Sequence, residues 1–158
     1  MLIIKEGDKE YKFRASGATK ILYKRLFGED PDKFWMIFQD QLKENMTPED
    51  QNRILEVAKL DEKDPKRIAV TTAVSMEMLN RPEMADNTLS LFEFAKQYAY
   101  IAFVEANNDP KDVGKILSLE NYILFLMQFD ESFFREHFAE IKEMFESNSK
   151  VTSKRKNM

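Results

Sequence analysis

The side chains able to do chemistry are few, and they do not assemble into a known catalytic pattern. The chain has one histidine, His137, and no cysteine. Thiolate nucleophiles, thiolate metal sites and disulfides are therefore excluded, as is a two-histidine zinc site. Glu140 lies one helical turn after His137 and could share a metal with it, but a histidine beside Phe138 on a charged helix reads more simply as a boundary residue. Ser147-Asn148-Ser149-Lys150 matches the spacing of a Ser-x-x-Lys nucleophile without its companion motifs. Gly17-Ala18-Thr19-Lys20 looks like part of a phosphate loop but lacks the upstream glycine and the long buried strand. The 28 carboxylates follow the outer faces of predicted helices, as solvated charge does. The expectation is a protein that is not an enzyme, with no catalytic residues, cofactor or metal.

Composition points the same way. Over 158 residues, 43% hydrophobic and 33% charged residues describe a globular chain, and a net charge of −4 calls for no nucleic-acid partner. Uncharged apolar runs such as Gln97 to Val104 and Asn121 to Phe129 are far short of the roughly 20 residues that span a bilayer. Met1-Leu2-Ile3-Ile4 is too short for a signal peptide. One glycosylation tripeptide, Asn45-Met46-Thr47, occurs at chance frequency. An intracellular protein with no membrane contact is expected.

The elements that would position any site are mostly helices. Leu2–Lys5 and Glu10–Ala15 read as strands around a Glu6–Lys9 turn, with Tyr11, Phe13 and Ala15 alternating against Lys12 and Arg14. Ser16 is placed to cap a helix ending near Phe27, with Ala18, Ile21, Leu22 and Leu26 as its apolar stripe and Gly28 at its stop. Asp30-Pro31, Thr47-Pro48, Asp64-Pro65 and Asp109-Pro110 each set a capping residue before a proline at the first helical position. At Thr47 a capping box with Asp50 is predicted. Pro31, Pro48, Pro65 and Pro82 recur every 17 residues, which predicts helices of equal length.

Ser90-Leu91-Phe92-Glu93 reads as a capping box opening a helix to about Ala106. Its apolar residues lie nearly all round: Phe94, Ala95, Tyr98, Ile101 and Ala102 on one side, Phe92, Ala99 and Phe103 on another. That helix belongs in the centre of a bundle. Helices over Leu119–Phe129 and Glu131–Glu146 follow, the last with a Phe134, Phe138, Ile141, Phe145 stripe. The predicted fold is α+β, mostly α: a short N-terminal β-hairpin followed by a multi-helix bundle. It forms one domain over 1–146 with a flexible basic tail over 147–158.

For binding, the wide series Phe34, Trp35, Phe38, Leu42 and Met46 is the candidate partner surface. Its plainer reading is core packing, but aromatic and methionine side chains are enriched where surfaces adapt to partners. Nine methionines and thirteen phenylalanines lean towards such a role. The cations of the tail, without interleaved aromatics, read as solubilising charge rather than a phosphate-binding strip.

The run from Tyr11-Lys12-Phe13-Arg14-Ala15-Ser16 through Gly17-Ala18-Thr19-Lys20 to Tyr23, Arg25, Phe27, Gly28 and Asp30 resembles the start of the tail assembly chaperones of long-tailed phages and prophages of Gram-positive bacteria. Glu93 to Ala102 and Ser118 to Leu126, with Asp130 after it, are similar to that family's second half more loosely. The stretch from Thr47 to Asn87 carries no resemblance. The resemblance implies a cytoplasmic, non-enzymatic protein of the bacterial host. It would bind the tape-measure protein, keep its long apolar helices from aggregating, help recruit tail-tube subunits, and could self-associate. A generic helical adaptor or regulator is the alternative.

Overall fold

The computed structural model describes the backbone of residues 1–156 and the side chains of residues 1–148. Alternating side chains at the N-terminus give an antiparallel hairpin, β1 (Leu2–Glu6) and β2 (Lys9–Phe13), in the register Leu2↔Phe13 to Glu6↔Lys9. The turn is tighter than the expected Glu6–Lys9. Gly7 and Asp8 alone make it, and only Gly7 has a positive φ, +60°, the arrangement of a type II′ turn, whose twist matches that of the strands. β2 also ends earlier than expected. Beyond Phe13 the Arg14 N–H leaves the sheet and donates to the Ala102 carbonyl at 2.9 Å.

Nine α-helices follow among the described residues: α1 (Thr19–Phe27), α2 (Pro31–Glu44), α3 (Pro48–Ala58), α4 (Pro65–Leu79), α5 (Ala85–Asn107), α6 (Pro110–Ile116), α7 (Leu119–Leu126), α8 (Phe133–Glu136) and α9 (Phe138–Lys156). A 3₁₀ turn, Pro82–Met84, leads into α5. The chain is thus α+β and mostly α. Its described residues pack as two compact units, one made of Met1–Lys33 with the chain from Phe92 onward, the other of Phe34–Leu91. Backbone helix continues through α9 to Lys156, over residues 147–156 of the expected 147–158 tail. The side chains of that tail from Ser149 on lie outside the described residues.

Proline starts are as the chemistry dictates. Thr47 Oγ1 accepts from the Asp50 N–H at 3.2 Å while Asp50 Oδ2 accepts from the Thr47 N–H at 3.0 Å, satisfying two donors that a helix start leaves free. Asp64 and Asp109 cap α4 and α6 through the N–H groups of Lys66 and Lys111. The helices between the evenly spaced prolines are nonetheless unequal, at 14, 11 and 15 residues; loops of different length keep the 17-residue period.

Two expected caps are corrected. Ser16 is not the cap of α1. Its Oγ accepts from the Ala18 N–H at 3.1 Å, one residue before the helix, and donates to the Glu105 carboxylate. Ser90 lies inside α5, which begins at Ala85 because the Pro82 turn already supplies helical geometry. There Thr88 Oγ1 donates to the Met84 and Leu79 carbonyls. The last predicted helix is also broken, at His137 (φ −105°, ψ 14°). Phe133 and Phe134, adjacent on α8, are both buried and give that short helix a wide apolar face.

In the first unit, Tyr98, Ala99, Tyr100, Ile101 and Ala102 are five consecutive residues no more than 1% exposed. That makes α5 central, as its all-round apolar pattern requires. Phe145 from α9 meets Phe94 and Tyr98 edge-on, with ring centroids 5.2 and 5.1 Å away. Phe125 joins Tyr100, Phe103, Phe129 and Phe134 in a second aromatic cluster. A buried carboxylate, Glu105, is satisfied by Ser16 and Thr19 hydroxyls, which ties the hairpin exit to α5.

In the second unit, α3 packs on α4, and Val57 of α3 and Val74 and Met78 of α4 are buried. Asp50 and Arg81 form a bidentate pair at 2.7 and 2.9 Å, the geometry that makes arginine–carboxylate contacts strong. The Arg81 guanidinium and the Thr47 N–H hold the Asp50 carboxyl well below the usual carboxylate range.

Candidate partner-binding surface

Of the five residues expected to bind a partner, Phe38 is 3% exposed and belongs to the core of the second unit. Phe34 stacks on it at 6.4 Å and Trp35 at 5.8 Å. Phe34, Trp35, Leu42 and Met46 are half-buried. What α2 turns outward is Met36 and Ile37, 58% and 45% exposed. Phe34, Ile37 and Phe38 line one side of a shallow groove of about 320 Å³, with Asp86, Asn87 and Ser90 opposite. The series is therefore half-buried around a buried Phe38, with Met36 and Ile37 as its exposed lip.

The larger exposed apolar surface lies on α7, in the first unit. Ser118 caps this helix by accepting from the Asn121 N–H at 3.1 Å. Tyr122 and Phe125 point inward, against Phe27, Tyr100 and Phe103. Leu119, Ile123 and Met127 fall four residues apart and so share one face. They are 57%, 58% and 75% exposed, and the adjoining Leu124 is 59% exposed. Four large apolar side chains in nine residues stand in water on a helix anchored from behind by aromatic rings. Sequence reasoning missed this surface. The signal was present in Tyr122-Ile123-Leu124-Phe125-Leu126-Met127, because a helix this short and this apolar cannot bury every side.

Buried polar groups near α7 are structural. Tyr23 donates to Gln97 Oε1 at 2.6 Å. The Tyr122 hydroxyl is the one buried side-chain polar atom without a hydrogen-bond partner among the described residues. Burial pushes the phenols of Tyr23, Tyr98 and Tyr122 far above the ordinary tyrosine value.

The remaining sequence candidates separate. His137 sits at the α8–α9 break, with Nδ1 3.2 Å from Glu140 Oε1 and Nε2 3.2 Å from Glu6 Oε1. Burial opposes its charged form, but the carboxylates of Glu140 and Glu6 outweigh that and hold its pKa above the usual histidine value. Ser147 is exposed, and Asn148 donates to the Ser16 carbonyl at 3.1 Å and to the Tyr98 hydroxyl at 3.2 Å. The side chains of Ser149 and Lys150, the remainder of the Ser-x-x-Lys pattern, lie outside the described residues. Thr19 of the Gly17–Lys20 segment is spent on Glu105, and Lys20 pairs with Asp32 at 2.8 Å. No helix among the described residues is long and apolar enough to cross a membrane.

Compared with models of known families, with characterised proteins and with solved structures, the chain matches none of them.

Proposed function

We propose that this chain is a tail assembly chaperone of a long-tailed phage or prophage, acting in the host cytoplasm without catalysis. It holds the tape-measure protein in soluble form until the tail tube closes around it. The observation that carries the reading is the α7 surface, Leu119, Ile123, Leu124 and Met127, read with the Tyr11–Asp30 resemblance. A tape-measure protein is long and helical, so its apolar stripes need temporary cover. A two-turn apolar helix face, presented on a rigid aromatic base, suits a partner helix that docks through i, i+3, i+4 anchors.

The dimensions support a reversible contact. Four side chains make a patch well below the roughly 800 Å² per partner of stable complexes, which is what a chaperone that must release its client requires. The Met36–Ile37 lip of α2, beside Phe34 and Phe38, offers a second and smaller apolar contact, and tail-tube subunits are the further partner on this reading. Co-expression with the tape-measure protein of the same phage or prophage tests the proposal. The client becomes soluble and co-purifies if the reading holds, and stays insoluble if it does not.

A further inference from the structure

The fold brings Glu6, Glu136 and His137 together from opposite ends of the sequence. Glu6 closes β1, Glu136 closes α8, and His137 is the residue at which the chain breaks before α9. One donor atom from each lies within 4.8 Å of the other two. The geometry points to a divalent metal site of the zinc class, with the His137 imidazole and the Glu6 and Glu136 carboxylates as ligands, joining the hairpin tip to the α8–α9 corner.

Three observations carry it. The first is donor chemistry: one imidazole with two carboxylates suits zinc and its first-row neighbours, whereas magnesium and calcium take all-oxygen sets. The second is spacing. Bonds of about 2.0–2.1 Å in a tetrahedral zinc site separate neighbouring donors by about 3.3 Å, and His137 Nε2 already stands 3.2 Å from Glu6 Oε1. Glu136 is exposed, so its carboxylate is free to close the remaining gap by a rotamer change. The third is the support behind the imidazole. Metal-bound histidines hand their other ring nitrogen to a carboxylate that fixes the ring. Glu140 occupies that place on Nδ1 at 3.2 Å, while Phe133 packs on the ring at 4.8 Å. Water completes the coordination on the solvent side. A metal held here cross-links residues about 130 positions apart, and binding only the folded form, it stabilises that form by mass action.

The test is a calorimetric titration of the full-length, chelator-stripped chain with zinc chloride, paired with thermal melts. One saturable equivalent of zinc is expected, with a melting temperature that rises with zinc. Replacing His137→Asn or Glu136→Gln should weaken binding by about tenfold or more. Glu140→Gln, which leaves the ligands in place, should retain one equivalent at about tenfold lower affinity, and excess magnesium should not compete. Glu136 is exposed, so E136Q keeps the question open to test even if the His137 variant fails to fold. No saturable binding at about 1 mM zinc, the weakest range of specific affinity, overturns the site. Binding by the folded Glu136→Gln variant with unchanged affinity overturns it equally, because the zinc would then sit elsewhere.

Discussion

Charging the α7 surface separates binding from folding. The perturbation is Ile123→Asp with Met127→Asp, two side chains on one face that are 58% and 75% exposed. Full burial of an aliphatic or methionine side chain contributes about 1.5–3 kcal/mol. With more than half of each still in water, a docking helix would gain about 1–2 kcal/mol per residue on covering it. Losing both gains costs a complex about 3 kcal/mol, roughly a hundredfold in Kd, before the cost of burying two carboxylates is added. The fold should respond little: exposed substitutions stay within about 0.5 kcal/mol, and a carboxylate at Met127, the C-cap of α7, opposes the helix dipole by a further amount of about 0.3–1 kcal/mol. The assay is the affinity of purified double variant for the tape-measure protein, measured beside its thermal midpoint. Leu55→Asp serves as control, being 64% exposed in the other unit and outside the proposed face. Unchanged affinity in the double variant refutes the α7 assignment. A collapse in melting temperature refutes it too, since it would mean that the face is packed rather than free.

Other expectations follow from the same physics. Asp50→Ala removes half of a capping box and the Arg81 partner, and should cost roughly 2–3 kcal/mol at neutral pH by chemical denaturation. Because the folded pKa of Asp50 is depressed, that contribution is complete above the unfolded value near 4 and declines as pH falls below it; a difference between variant and parent that stays constant down to pH of about 2 would contradict the account. The raised phenols of Tyr23, Tyr98 and Tyr122 reverse the direction. Above about pH 10 the unfolded chain loses protons that the folded chain keeps, so stability should fall with rising pH, and an absorbance titration should show these tyrosines ionising only as the protein unfolds. Tyr122→Phe deletes a buried hydroxyl without a partner and should leave the melting temperature unchanged or higher; a clear drop would reveal a hydrogen bond to ordered water.

Local chemistry made much of the fold readable. The hairpin, the Gly28 stop in the left-handed region at φ +80°, the proline-led helix starts and the central α5 each follow from short-range rules. What escaped depends on long-range competition. Ser16 could not be seen to donate to Glu105, 89 residues away, nor to accept from Ala18 ahead of the helix rather than from an N–H inside it. The break at His137 is concealed by the Phe134, Phe138, Ile141, Phe145 period, which runs straight through it. The division at 33/34 and 91/92 falls inside α2 and α5, where no proline, glycine or polar linker marks it. For the candidate site the difficulty was of another kind. The Phe34–Met46 series and the α7 face look alike in sequence, and only the packing of Phe38, against the openness of Ile123 and Met127, tells a seam from a surface.

The most direct test of the chaperone reading is the soluble fraction of the tape-measure protein expressed alone and together with this chain. The account predicts a clear rise in soluble client on co-expression and recovery of the two proteins as a complex. A client that stays as insoluble as when expressed alone would contradict it.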